Sequence, residues 1–129
     1  MKRNRILTAA MLVLFLTACC TVFACTAKAR PIPVWKFCHG LCDGLDTAVI
    51  TAFTTDCETG TQPALFTPEE EAWIRRVAIN GVITDKANDT SVTGGTWIWS
   101  FETPDGKHLL SIEMYRGLIV GSDGMYAYR

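Results

Sequence analysis

Apolar and polar residues alternate along Thr96–Glu102, setting Trp97, Trp99 and Phe101 on one side. A period of two is the signature of a strand with one buried face. The turn-forming run Thr103-Pro104-Asp105-Gly106 follows, then a second strand-like stretch over 107–115 and a tight turn at Arg116-Gly117. A third stretch over 118–121, an Asp123-Gly124 pair with two-residue hairpin chemistry, and a last stretch over 125–129 close the chain. The pattern predicts a four-stranded antiparallel meander. Two registers compete for its first hairpin. Pairing Glu102 with Lys107 sets Trp99 opposite Leu110 and Trp97 opposite Ile112; pairing Thr103 with Lys107 sets Ser111 and Glu113 against those tryptophans. The first is preferred because a one-residue slip turns a whole strand to the other face. It gathers Trp97, Trp99, Phe101, His108, Leu110, Ile112, Met114, Ile119, Tyr126 and Tyr128 on one face. This face is read as core, with Trp97 and Trp99 as its candidate binding surface for a sugar, a lipid or a protein partner.

Upstream the period changes to that of a helix. Thr67 has the chemistry of an N-cap, Pro68 suits the first helical position, and Glu70 completes a capping box. Glu69, Glu70 and Glu71 complement the helix dipole, and Glu71 and Arg75 are spaced as an ion pair. Trp73, Ile74, Val77 and Ala78 form the apolar stripe, and Asn80-Gly81 ends the helix as residues tolerant of a left-handed backbone. Residues 47–55 read as a strand, 56–62 as a turn or loop, and 82–84 as a short strand. The expected fold is therefore α+β: one helix packed on the C-terminal four-stranded meander, preceded by an N-terminal hydrophobic helix that is cleaved or serves as an anchor.

That hydrophobic segment opens the 129-residue chain. Lys2, Arg3 and Arg5 precede an uncharged run over 6–18, the layout of a secretory leader. Leu16-Thr17-Ala18-Cys19 at its end resembles the lipobox of bacterial lipoprotein precursors. The resemblance implies that Cys19 is lipidated and begins the mature chain. Ala24 and Ala29 end competing signal-peptidase sites, and a segment extended through Phe23 would serve as an uncleaved anchor. Residues 1–18 are thus expected to be a signal peptide, 19–36 a tether extended by Pro31 and Pro33, and 37–129 a single small domain. Loss of the leader removes three basic residues and leaves nine against thirteen acidic ones, a net charge of about −4. A mildly acidic domain is a poor binder of phosphate backbones, so nucleic acid is discounted as a partner. The expected location is exported, as a cell-membrane lipoprotein or extracellular. The expected partners are the membrane, through the lipid or the uncleaved segment, and an envelope protein.

Candidate chemistry gathers in Cys38-His39-Gly40-Leu41-Cys42. With Cys57, these thiols and His39 form a candidate disulfide or metal set; a Cys57 bond to Cys38 or Cys42 would close a loop of roughly 15–20 residues. The spacing is similar to the Cys-x-x-x-Cys-Pro site of exported copper-delivery proteins, with Asp43 in place of the proline. Unpaired buried thiols are the competing reading. Gly-x-Ser-x-Gly, phosphate-cradling and His-Glu-x-x-His motifs are absent, no cofactor motif is found, and an enzyme is not expected. The leading reading is a small exported lipoprotein that binds or supports at the cell envelope. The alternative is an exported metal-binding or thiol-redox protein.

Overall fold

Aromatic and β-branched side chains make Thr96–Glu102 (β5) the strand around which the others assemble. In the computed structural model, which describes residues 30–88 and 94–129, β5 lies inside one antiparallel sheet of eight strands. The leader, Cys19, the sites at Ala24 and Ala29 and most of the tether lie outside the described residues. The strands are Ile32–Pro33 (β1), Val49–Asp56 (β2), Gly60–Ala64 (β3), Val82–Lys86 (β4), β5, His108–Tyr115 (β6), Leu118–Gly121 (β7) and Gly124–Tyr128 (β8). Their order across the sheet is β1-β4-β8-β7-β6-β5-β2-β3. Among the described residues two helices accompany them, Val34–Phe37 (α1) and Pro68–Asn80 (α2). No helix among the described residues is long and apolar enough to cross a membrane.

The expected architecture of one helix on a four-stranded meander is therefore overturned. The meander β5–β8 is only the middle of the sheet. β2 and β3 extend it past β5, and β4 and β1 extend it past β8. These additions rest on pairings between residues far apart in sequence, such as Ile50 with Phe101 and Ile83 with Tyr128. The expected tether also ends sooner: Ile32–Pro33 pairs with β4 and Val34 is fully buried, so the compact unit begins at Pro31.

Within the meander the first register is corrected by a bulge. The turn closes with the Thr103 amide donating to the Lys107 carbonyl (2.8 Å), and Glu102 faces His108. Left alone, this would turn the polar face of β6 toward the tryptophans. One extra residue, Leu109, restores the parity, and Phe101, Trp99 and Trp97 then face Leu110, Ile112 and Met114. The bulge buries both Leu109 and Leu110 and leaves His108 exposed outside the core. Arg116 and Gly117 both have positive φ (49° and 77°), the backbone of a type I′ hairpin turn. The last turn uses Ser122-Asp123 instead of Asp123-Gly124, so Tyr126 pairs with Ile119.

Helix α2 starts as its sequence dictates. The Glu70 amide donates to the Thr67 hydroxyl (3.2 Å), and the Glu70 carboxylate accepts from the Thr67 amide (2.8 Å). Ile74, Val77 and Ala78 enter the core beside Trp99, Phe101, Ile112 and Ile119. Its end differs from expectation. Gly81 is extended (φ −66°, ψ 146°), and a Cβ there would stand 2.4 Å from the Val77 carbonyl oxygen and 3.0 Å from Val34. Close approach requires this glycine, not a left-handed backbone. Arg75 reaches beyond Glu71: its guanidinium donates to the carbonyls of Leu45 (2.7 Å), Asp46 (3.2 Å) and Ala48 (3.0 Å), fastening the segment before β2 to the helix. The sheet edges are β1, only two residues long, and β3, which carries Pro63.

Candidate functional site

Successive inward positions of β5 bring Trp97 and Trp99 together, stacked at 21° with centroids 5.8 Å apart. Trp99 is held in place from two further directions. Phe66, just before the α2 cap, meets it edge-on at 5.3 Å, and Trp73 on the second turn of α2 stands at 76° to it, 6.3 Å away. Trp99 is 4% exposed and Trp97 39%. The two candidate binding residues thus divide the work: Trp99 belongs to the core, and Trp97 rests on it with its ring open to solvent.

A recess of about 210 Å³ lies beside them, between the start of α2 and the β6–β7 turn. Trp73, Trp97, Trp99 and Met114 supply its apolar walls; Glu70, Arg116 and Gly117 form its rim. One Glu70 oxygen is fixed by the Thr67 amide, which orients the carboxylate at the rim. The Arg116 guanidinium lies over the Tyr115 ring at 5.2 Å. Sequence reasoning gave Glu70, Trp73, Met114 and Arg116 structural roles only. Their convergence depends on where α2 sits over the sheet, which no local pattern records.

A second concavity, about 670 Å³, opens on the sheet face that bears Ile98, Glu113 and Val120, against Phe37, Cys38 and His39. Glu113 is anchored there by the Thr96 hydroxyl (2.8 Å), which also bonds Thr55 (2.7 Å). Its walls come from distant segments, and the sequence reading missed it. This concavity has one braced ring, Phe37 against Tyr126 at 4.8 Å, where the smaller recess gathers three tryptophans in contact.

The cysteine set does not assemble. Cys38, Cys42 and Cys57 are free thiols. Leu41 binds the Leu109 carbonyl (2.9 Å), which places Cys42 near the start of β2, whereas Cys57 follows its far end. Eight residues of strand separate them, about 25 Å at the usual rise, far beyond disulfide reach. No group of three His, Cys, Asp or Glu suited to a metal occurs among the described residues. Burial pushes the Cys38 thiol up to about 11, away from the reactive thiolate.

His39 has a local explanation. It follows α1 with φ 57°, its amide donating to the Lys36 carbonyl (3.1 Å) while the Gly40 amide donates to that of Trp35 (2.8 Å). This bond pair is a Schellman cap, with histidine where glycine is usual. Gly40 then passes against the bulge, where a Cβ would stand 2.4 Å from Leu110, and the Leu41 amide satisfies the carbonyl of the unpaired Leu109. The Cys-His-Gly-Leu-Cys segment is a strap that caps a helix and seals a bulge.

Comparison with protein-family models, curated proteins and solved structures gives no match.

Proposed function

We propose that the chain is a small exported binding module, held at the cell envelope by lipidation of Cys19, that takes a small ligand in the recess beside Trp97. The observation that carries the binding role is the open Trp97 ring stacked on a buried Trp99, in a recess rimmed by Glu70. Rings braced against one another present their surface to a ligand with little conformational entropy left to lose. The envelope location is supported by the basic and apolar leader and by Leu16-Thr17-Ala18-Cys19.

The two parts are tested separately. In a bacterial host, wild type is expected to partition with membranes and incorporate labelled fatty acid, while Cys19→Ser incorporates none; equal labelling of both would reject lipidation at Cys19. For the recess, tryptophan fluorescence of the full chain is followed against panels of small sugars, organic cations and peptides. A saturable shift that Trp97→Leu abolishes supports the reading. No shift with any panel, or one unaffected by that substitution, overturns it.

A further inference from the structure

Resting on that recess as the binding site, we propose that its ligand is a quaternary ammonium group, borne by a free choline-type solute or by a lipid head group. The shape of the walls favours a compact cation. A sugar ring stacks on one broad open platform, but here Trp73 stands nearly perpendicular to Trp99, to which Trp97 is nearly parallel. The rings wall the recess on two sides, and Met114 adds a polarizable thioether. Aromatic faces attract cations through the ring quadrupole, and the gain is largest for a weakly hydrated ammonium removed from water.

Charge agrees with shape. Glu70 stands at the rim with one oxygen fixed by the Thr67 amide and the other without a partner among the described residues. Its neighbour Glu71 is paired with Arg75, so the acidic charge at the rim is that of Glu70. The opposing positive charge, Arg116, is drawn over the Tyr115 ring. The volume of about 210 Å³ lies below the roughly 300–1,000 Å³ of pockets for drug-sized ligands, so the recess fits a head group and leaves the rest of the ligand in solvent.

Three substitutions test this without disturbing the fold. Glu70→Gln keeps the capping box, which accepts either residue, and removes only the charge. Arg116→Asn keeps an asparagine-glycine type I′ turn and removes the opposing charge. Trp97→Leu keeps apolar bulk and removes the ring. Choline chloride, tetramethylammonium chloride and a methyl glycoside are titrated into the full chain in detergent and followed by tryptophan fluorescence. Both cations are expected to bind and the glycoside not. Glu70→Gln should weaken choline about threefold to fivefold, the scale of a surface ion pair. Trp97→Leu should weaken it about fivefold to thirtyfold, the scale of a cation–π contact, and Arg116→Asn should strengthen it about twofold to fivefold.

Competition by phosphatidylcholine, but not phosphatidylglycerol, added as mixed micelles with the same detergent assigns the lipid head group; absence of competition assigns the free solute. Both outcomes support the proposal. Glycoside binding without cation binding overturns it and leaves the recess as a site. Cation binding indifferent to Glu70→Gln, or weakened by Arg116→Asn, also overturns it. If no probe shifts the fluorescence, the proposal and the binding reading beneath it both fall.

Discussion

Removing the Arg75 guanidinium should cost more stability than a surface ion pair can explain. Three backbone carbonyls, those of Leu45, Asp46 and Ala48, accept from it, and Leu45 is fully buried in the core. Hydrogen bonds to a charged donor contribute about 1.5–3 kcal/mol each when well formed. The Asp46 contact is long at 3.2 Å and the side chain is 23% exposed, so part of that is lost to solvent screening. Arg75→Ala is expected to cost about 3 kcal/mol. Arg75→Lys should cost about half as much, because one ammonium cannot reproduce the planar fork across separate acceptors. Glu71→Gln removes only the exposed i, i+4 partner and should cost roughly 0.3–0.5 kcal/mol. Urea denaturation followed by tryptophan fluorescence reads all three. With a slope of about 1.5 kcal/mol/M, Arg75→Ala moves the midpoint down by about 2 M at unchanged slope. A shift below about 0.5 M, or a Glu71→Gln variant as damaged as Arg75→Ala, would refute the clamp.

Cys38 has its pKa raised by burial from 9.0 to about 11, so the native thiol holds its proton where the unfolded chain releases it. Stability should fall as pH rises from about 9 toward 11, and Cys38→Ala should remove the early part of that fall in melts taken across this range, ahead of half-buried Tyr128, which desolvation also shifts upward. At neutral pH, iodoacetamide with peptide mapping should modify exposed Cys42 and Cys57 well before Cys38; equal rates would contradict the burial. His39→Gly should raise stability by about 0.5–1 kcal/mol in thermal melts, because glycine fits the left-handed cap without strain; a loss would mean the imidazole makes an essential contact. Gly81→Ala should cost more than 2 kcal/mol on the scale of backbone clashes, with Gly60→Ala, where nothing crowds the Cβ, as a milder reference.

What could be read from the residues depended on how local the deciding contacts were. The capping box from Thr67 to Glu70 spans four residues, and the Arg116-Gly117 turn two; both were legible, as was the apolar face of the meander apart from His108, which the bulge leaves exposed. The strand pairing was less so. Parity along β5 and β6 survived because the core demands it, yet the partners of Trp99 and Trp97 each moved by two positions, one from the turn closing at Thr103 and Lys107 and one from the extra residue Leu109. A bulge leaves no mark in an apolar pair such as Leu109-Leu110. The strands over 47–55 and 82–84 were legible, but their places in the sheet were not, because β2 and β4 join it only through tertiary pairing; β3 was missed because it has no alternation and contains Pro63. At the recess, the alternation drew attention to Trp97 and Trp99, but which of them is covered depends on Trp73 and Phe66 arriving from the helix side. The cysteine segment misled because its spacing suggested chemistry where the backbone around it needed a cap and a partner for the bulge.

The two ends of the sheet govern how the protein tolerates crowding. An unclosed sheet can template the addition of a strand from a neighbouring molecule, and the tendency grows with local concentration. Here one terminus of the row, β1, offers only Ile32 and Pro33, and proline has no amide hydrogen to give. The opposite terminus, β3, is interrupted at its fourth residue by Pro63 for the same reason. A newcomer would find a broken ladder at either edge of the described sheet, which disfavours strand addition between copies.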